Sequence, residues 1–155
     1  NLPIVLIGSC KNWPAYGELC KAISGDRLRI IDHMPQALLA SAFAAAAVHV
    51  LPSWMETCGL VSLEAALTGT PVVGSSFGHE LEYLQNDTWW ADPGDPGSIE
   101  AAVTAAWQAG PQHERPLNLK RRILERFNWE RTVDATELLY RRVLNGNASR
   151  RRAGG

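Results

Sequence analysis

Val48-His49-Val50-Leu51-Pro52-Ser53-Trp54-Met55-Glu56-Thr57-Cys58-Gly59-Leu60-Val61-Ser62-Leu63-Glu64 contains, in order, a short apolar run, a Pro-Ser turn, a glycine and the opening of a helical pattern. The helix is expected over Gly59 to Thr68 and stops at Gly69; a second apolar strand, Thr70 to Gly74, follows. Parallel strands need a crossover between them, and a helix of this length supplies one. The stretch therefore reads as one strand–helix–strand unit of a parallel sheet. Its turn into the helix is a place where backbone N–H groups lack acceptors and point toward an anion.

Outward from this unit the alternation continues. Pro3 to Gly8 reads as a buried strand, Ala15 to Ile23 as a helix ended by Gly25, and Leu28 to Ile31 as a strand. Pro35 to Ala47 is an alanine-rich helix with proline in its first turn. Beyond Gly74 come a short helix over Glu80 to Gln85, an edge strand over Thr88 to Ala91 and a helix over Ser98 to Ala109. Leu117 to Phe127 and Trp129 to Leu144 close the pattern as two helices, the second with Trp129, Val133, Tyr140 and Leu144 near helical period. Short apolar strands alternating with helices predict an α/β fold: a Rossmann-like parallel sheet with helices on both faces, ending in two C-terminal helices. Residues 1–144 are expected to form this domain, and the polar, Gly/Arg-rich stretch 145–155 a disordered tail.

Composition allows a globular domain with a core, being 46% hydrophobic and 20% charged. No apolar run approaches the length that crosses a bilayer, and no signal-peptide pattern opens the chain, so a cytoplasmic location is expected. Cys10, Cys20 and Cys58 are odd in number and lack metal-ligand spacing, which fits reduced thiols. The net charge of −1 hides a division. Residues 1–114 carry four basic and twelve acidic side chains, net −8; residues 115–155 carry eleven basic and four acidic, net +7. The acidic part is a poor general polyanion binder, and no aromatics are interleaved with the later arginines, so nucleic acid is not an expected partner. The basic segment reads first as solvated helix faces; a membrane surface or a docking partner is the alternative.

Two carboxylates flank the anion-receiving turn. Beside a phosphate they would repel it, so their natural partners are hydroxyl groups. A ligand with both phosphates and many hydroxyls is a nucleotide sugar. At about 100° per residue, Leu60, Leu63 and Leu67 share a helix face and Glu64 lies at its edge. Glu56 precedes the first turn, and Glu64 lies about 7–8 Å up the helix axis from Gly59, roughly one ribose away. The plainer reading makes Glu56 a partner of the helix dipole and Glu64 a rim residue.

Further motifs decide between the two. Pro52-Ser53-Trp54-Met55-Glu56, the seven-residue gap to Glu64, Gly69-Thr70-Pro71-Val72-Val73 and Pro93-Gly94-Asp95-Pro96 occur in one order. Over roughly Leu2 to Leu144 this resembles the C-terminal, nucleotide-sugar-binding domain of retaining glycosyltransferases of the GT-B fold, the large family-four group. The resemblance implies that Glu64 holds the donor ribose and Glu56 the hydroxyls of the transferred sugar, Glu56 being the residue nearest the chemistry. Gly59, Leu60 and Val61 would offer backbone N–H groups to the diphosphate or sugar. The loop Asp32-His33-Met34-Pro35 stands where the family reads the base, which makes His33 and Met34 candidate donor contacts; for His33 an ordinary loop histidine is the alternative. The implied substrate is a UDP-, GDP- or ADP-sugar, used by a hexosyltransferase with no metal or other cofactor. The acceptor would be a glycan, a lipid or a small molecule.

The sequence departs from the pattern in several places. Asp32-His33 replaces an apolar-glycine pair, Cys58 stands where an aromatic is common, and Trp89-Trp90 replaces a stretch that usually carries glycine. His79 holds the position of a second glycine and Leu81-Glu82 that of a Pro-Glu pair, so Glu82 is a candidate for orienting its loop. His49 reads as structural, and His113 as part of an exposed linker. The family's acceptor-binding N-terminal domain and the opening strand-helix unit, with its basic pair, have no counterpart here. Lys11 is the remaining basic residue near the expected site. The chain is thus expected to be a fragment without transferase activity by itself, belonging to a cytoplasmic enzyme for which peripheral membrane contact is the alternative. A non-catalytic nucleotide-sugar-binding or regulatory domain built on this fold is the alternative.

Overall fold

A computed structural model describes the backbone of residues 2–153 and the side chains of residues 2–145. Contacts divide the chain into two compact units, 1–42 and 43–155.

The first unit is a strand–helix–strand crossover. β1 (Ile4–Ile7) and β2 (Leu28–Ile31) pair in parallel, with Ile4 opposite Leu28 and Ile7 opposite Ile31. α1 (Pro14–Ser24) joins them; Pro14 fits its first turn, and Gly25 ends it at φ +57°. The expectation that the first strand is buried is corrected. Ile4, Val5, Leu6 and Ile7 are 39–55% exposed, because among the described residues of this unit one helix packs on the two-stranded sheet and its faces stay largely uncovered. α2 (Gln36–Ala45) leads from this unit into the next.

In the second unit β3 (His49–Leu51), β4 (Val72–Ser75) and β5 (Trp89–Ala91) form a parallel sheet in the order β3-β4-β5. β4 is central and buried along its whole length, as expected of an apolar parallel strand, and β5 is an edge as the sequence predicts. α3 (Leu60–Leu67) crosses from β3 to β4, and the short α4 (Leu81–Leu84) lies between β4 and β5. α5 (Pro96–Ala109) covers β4 and β5, with Ala102 and Ala106 packed against Val73, Trp89 and Ala91. Asp95 caps it by accepting from the Gly97 N–H, so the helix begins two residues earlier than its apolar periodicity suggests.

α6 (Glu114–Arg126) buries Leu119 and Ile123 and packs against α3. It starts at Glu114 because His113 Nδ1 accepts the Arg115 N–H at 3.2 Å. His113 is therefore a half-buried helix cap beside Trp89, not part of an exposed linker. α7 spans Trp129–Ala153. Its backbone thus continues nine residues past the expected end at Leu144, into the stretch 145–155 read as a disordered tail; the side chains of 146–155 lie outside the described residues.

Two further expectations change here. On α3 the buried face is Ser62, Ala65 and Ala66, while Leu60 is 62% and Leu67 38% exposed. Small side chains let α3 approach β4 and α6 closely, and leucines could not occupy that gap. In α6, Arg122 is no solvated side chain. It ion-pairs with Asp87 and donates to the Tyr83 and Leu84 carbonyls at 3.1 and 3.0 Å. Burial and the neighbouring Arg126 lower its proton affinity.

Candidate functional site

The site grows from the C-terminal ends of β3 and β4, where ligands bind in open parallel sheets. After β3, Pro52 to Cys58 form a turn that Glu56 closes on itself. Its Oε1 accepts the N–H groups of Thr57 and Gly59, each at 3.0 Å. Gly59 is left-handed at φ +56°, ψ +45° and forms the N-cap of α3. Its carbonyl accepts Ser62 N–H at 2.8 Å and Leu63 N–H at 3.3 Å. Helix geometry then provides no acceptor for the Leu60 and Val61 N–H groups. Glu64, half-buried, follows on the second turn of the same helix.

The loop after β4 meets this turn. His79 N–H donates to Glu56 O at 3.3 Å, and Gly78 packs against Glu56. Trp54 and Phe77 face each other edge-on, 6.0 Å apart, at the rim. Below the turn lies a buried polar network. Glu80 is fully buried; its Oε2 accepts Ser75 N–H at 3.4 Å, and the carboxyl also hydrogen-bonds Ser62. Ser62 Oγ lies 3.3 Å from His49 Nε2, and His49 packs edge-on against Phe43. Tyr83, one helical turn beyond Glu80, donates its hydroxyl to Cys58 O. Burial pushes the Glu80 carboxyl up and holds His49 down at about 4, so His49 is neutral. Burial, then the charge of Glu80, raises the Tyr83 phenol as well, so it remains a donor.

Of the predicted residues, Glu56, Gly59, Leu60, Val61 and Glu64 all lie on this one turn and helix. His33, exposed, and Met34, half-buried, follow β2 in the 1–42 unit. Lys11 is in that unit too, and its Nζ lies 3.0 Å from Asp32. A hydrogen bond from Ser9, then Lys11, keep Asp32 more acidic than usual. Glu82, the carboxylate singled out for the fourth loop, is exposed, and Glu80 takes the interior position instead. Sequence reasoning missed Glu80, Ser62 and Tyr83; the Glu80–Tyr83 spacing of three, one helical turn, was the available signal. A cleft of about 260 Å³ beside β5, where Arg115 lies over Trp89, is well separated from these carboxylates in sequence and contains none of them.

An N-terminal helical turn with a flanking carboxylate and a second carboxylate one turn on can receive an anion and hydroxyl groups together. Residues 1–109 match the family Glycosyl transferases group 1. The chain belongs to this family. Among its curated relatives is a D-inositol 3-phosphate glycosyltransferase of Geodermatophilus obscurus, 35% identical over 117 residues, which are 74% of this chain and 25% of that one. Among solved structures, sucrose-phosphate synthase of Thermosynechococcus elongatus is 27% identical with a TM-score of 0.77, covering 92% of this chain and 38% of that one. The catalytic domain of starch synthase IV of Arabidopsis thaliana, bound to ADP and acarbose, is 20% identical with a TM-score of 0.69, covering 90% and 32%. These neighbours have the GT-B fold, and this chain, a member of the group 1 family, shares the parallel strands and flanking helices of one part of it. The chain spans between a quarter and two fifths of the length of these relatives. Among the described residues no helix is long and apolar enough to cross a membrane.

Proposed function

We propose that this glycosyltransferase segment binds the donor, a nucleotide-diphosphate sugar, for a retaining transfer to a glycan, lipid or small-molecule acceptor. The observation that carries the reading is the left-handed Gly59 turn, closed by Glu56 and opening directly into the helix that bears Glu64. Leu60 and Val61 N–H groups would take the diphosphate, aided by the helix dipole. Glu64 would hold the ribose hydroxyls and Glu56 those of the transferred sugar. As the sugar–phosphate bond breaks, negative charge grows on the diphosphate, where the N–H dipoles stabilise it. No protein nucleophile and no metal is required by this reading. The two carboxylates bind hydroxyls and are not a glycosidase acid/base pair.

Cations matter at the departing diphosphate, and residues 1–114 hold four, of which Lys11 is paired with Asp32. We therefore expect these 155 residues to bind donor without transferring sugar. That same ion pair favours a second reading, a binding or regulatory domain without chemistry. Detection of sugar transfer by this chain alone would refute both expectations.

The test is a thermal-shift panel with UDP, GDP and ADP on wild type and Glu64→Ala. At ten times Kd a bound nucleotide adds about 1.4 kcal/mol, which is a few degrees for a domain of this size. Loss of a hydrogen bond to a charged acceptor should weaken binding by roughly ten- to a hundredfold in Glu64→Ala. A shift with one nucleotide, abolished by the substitution, supports the donor site and identifies its base. A shift that survives Glu64→Ala moves the ribose elsewhere.

A further inference from the structure

Glu80 is the one buried side chain in the described residues with an oxygen that lacks a hydrogen-bond partner, Oε1. The carboxyl is 0% exposed. It lies directly under the Gly59 turn: a Cβ on Gly59 would come within 2.1 Å of Oε1 and 2.8 Å of the Tyr83 hydroxyl. A Cβ on Gly74 would lie 3.3 Å from Oε2. Glu80 thus reaches the end of β4 through Ser75 N–H and the first turn of α3 through Ser62. Tyr83 grips the adjoining Cys58 carbonyl from the same short helix. Burying a carboxylate with an empty oxygen is costly, and more so beneath an N-terminal turn that is to receive a diphosphate, since the two anions repel. The uncharged acid removes both costs. Ser62 links the two buried groups, hydrogen-bonding the Glu80 carboxyl and lying 3.3 Å from His49 Nε2.

We propose that Glu80 is a positioning residue of the donor site, which holds the Cys58–Gly59 turn from below and does so as the neutral acid. The inference rests on the donor-site reading above. Diphosphate binding then favours the protonated carboxyl and takes up a proton wherever Glu80 is charged in the free protein. The titratable groups facing it are Glu56 on the turn above, Tyr83 on its own helix, Cys58 beyond the phenol and neutral His49 behind Ser62. Glu56 adds repulsion of the same sign as burial.

The experiment uses this chain as wild type, Glu80→Gln and Glu80→Ala. UDP, GDP or ADP, whichever binds, is titrated calorimetrically from roughly pH 5.5 to 8.5 in two buffers of different ionisation enthalpy, to count protons. Amide hydrogen exchange is followed in parallel over residues 57–63, with 96–109 as the internal control. Wild-type affinity should fall by about tenfold or more across this range, with proton uptake on binding. Glu80→Gln, which mimics the neutral acid, should keep the low-pH affinity and lose that part of the pH dependence. The nucleotide's own phosphate ionisation is common to both proteins and cancels in the comparison. Glu80→Ala should speed exchange over 57–63 by at least about tenfold and leave 96–109 unchanged. A Glu80→Gln profile that tracks wild type, or a Glu80→Ala turn that exchanges no faster, overturns the inference while leaving the donor site intact. If wild type binds none of the three nucleotides but Glu80→Ala still frees 57–63, the donor reading falls and the hold of Glu80 on the turn remains.

Discussion

At Gly59 backbone conformation and packing make the same demand. Its φ of +56° disfavours any side chain by about 1–2 kcal/mol, and a methyl group would also collide with Glu80 and Tyr83. Overpacking of that kind costs roughly 1–3 kcal/mol more. Gly59→Ala is therefore expected to lose about 2–5 kcal/mol in urea unfolding. A loss below 1 kcal/mol would mean that Glu80 is free to move aside. Tyr83→Phe removes the donor to Cys58 O and should cost about 1–3 kcal/mol, with faster exchange at the 57–63 amides. How much of the site is legible in sequence follows from these contacts. Glu56, Gly59 and Glu64 lie on consecutive turns of one chain segment, so their spacing alone brings them together. Glu80 reaches Gly59 across 21 residues, and Leu81 separates it from Glu82 by about half a helical turn. Nothing local states which of the two carboxylates turns inward, and the average habit of glutamate argues against either.

Elements were more legible than residues because strand and helix follow from local apolar period. All five strands and seven helices fall on the stretches that the alternation marks, with shifts of at most three residues at their ends except in α7, which runs nine residues past Leu144. The shifts have named causes in side chains that cap: Asp95 for α5 and His113 for α6. Periodicity fails on α3, where the buried face is alanine and serine and Leu60 and Leu67 are outside. Such a helix is positioned by closeness of approach, which a hydrophobicity pattern does not encode. The link between α4 and α6 was hidden for a similar reason, because three consecutive basic residues, Lys120-Arg121-Arg122, look solvated. Arg122 instead closes the C-terminal end of α4 and neutralises Asp87. Removing one partner of a buried pair leaves the other uncompensated, so Arg122→Ala should destabilise by about 2–4 kcal/mol. Asp87→Asn in the Arg122→Ala background should restore part of that loss. Equal stabilities of the single and double variants in urea would show that the carbonyl contacts, and not the ion pair, hold α4 in position.

Over the whole molecule, burial is uneven. Within described residues 2–42 the buried position is Gly17, whereas 43–145 hold the buried apolar side chains. A two-stranded crossover with so little core is marginal by itself, so its amides should exchange at lower free energy than those of β4 and α5. Global stability should depend on pH through two buried groups of opposite sign. His49 stays neutral in the folded state down to about 4, against 6.5 when unfolded. Between those values the unfolded chain binds more protons, so stability rises with pH there and is lost as pH falls through the window, by at most about 3 kcal/mol. Glu80 acts in reverse. Its folded carboxyl keeps its proton above the ordinary 4.5, so the folded state binds more protons from that pH upward. Its contribution is fully present below 4.5 and is lost as pH rises through the elevated value. Urea midpoints measured from roughly pH 4 to 8 should therefore pass through a maximum. Glu80→Gln should match wild type near the acid end and exceed it at the alkaline end, because the amide has no proton to lose. His49→Gln should flatten the acid limb and leave the alkaline one. If Glu80→Gln runs parallel to wild type at every pH, the carboxyl beneath Gly59 is already charged in the folded protein, and its repulsion is borne by the turn itself.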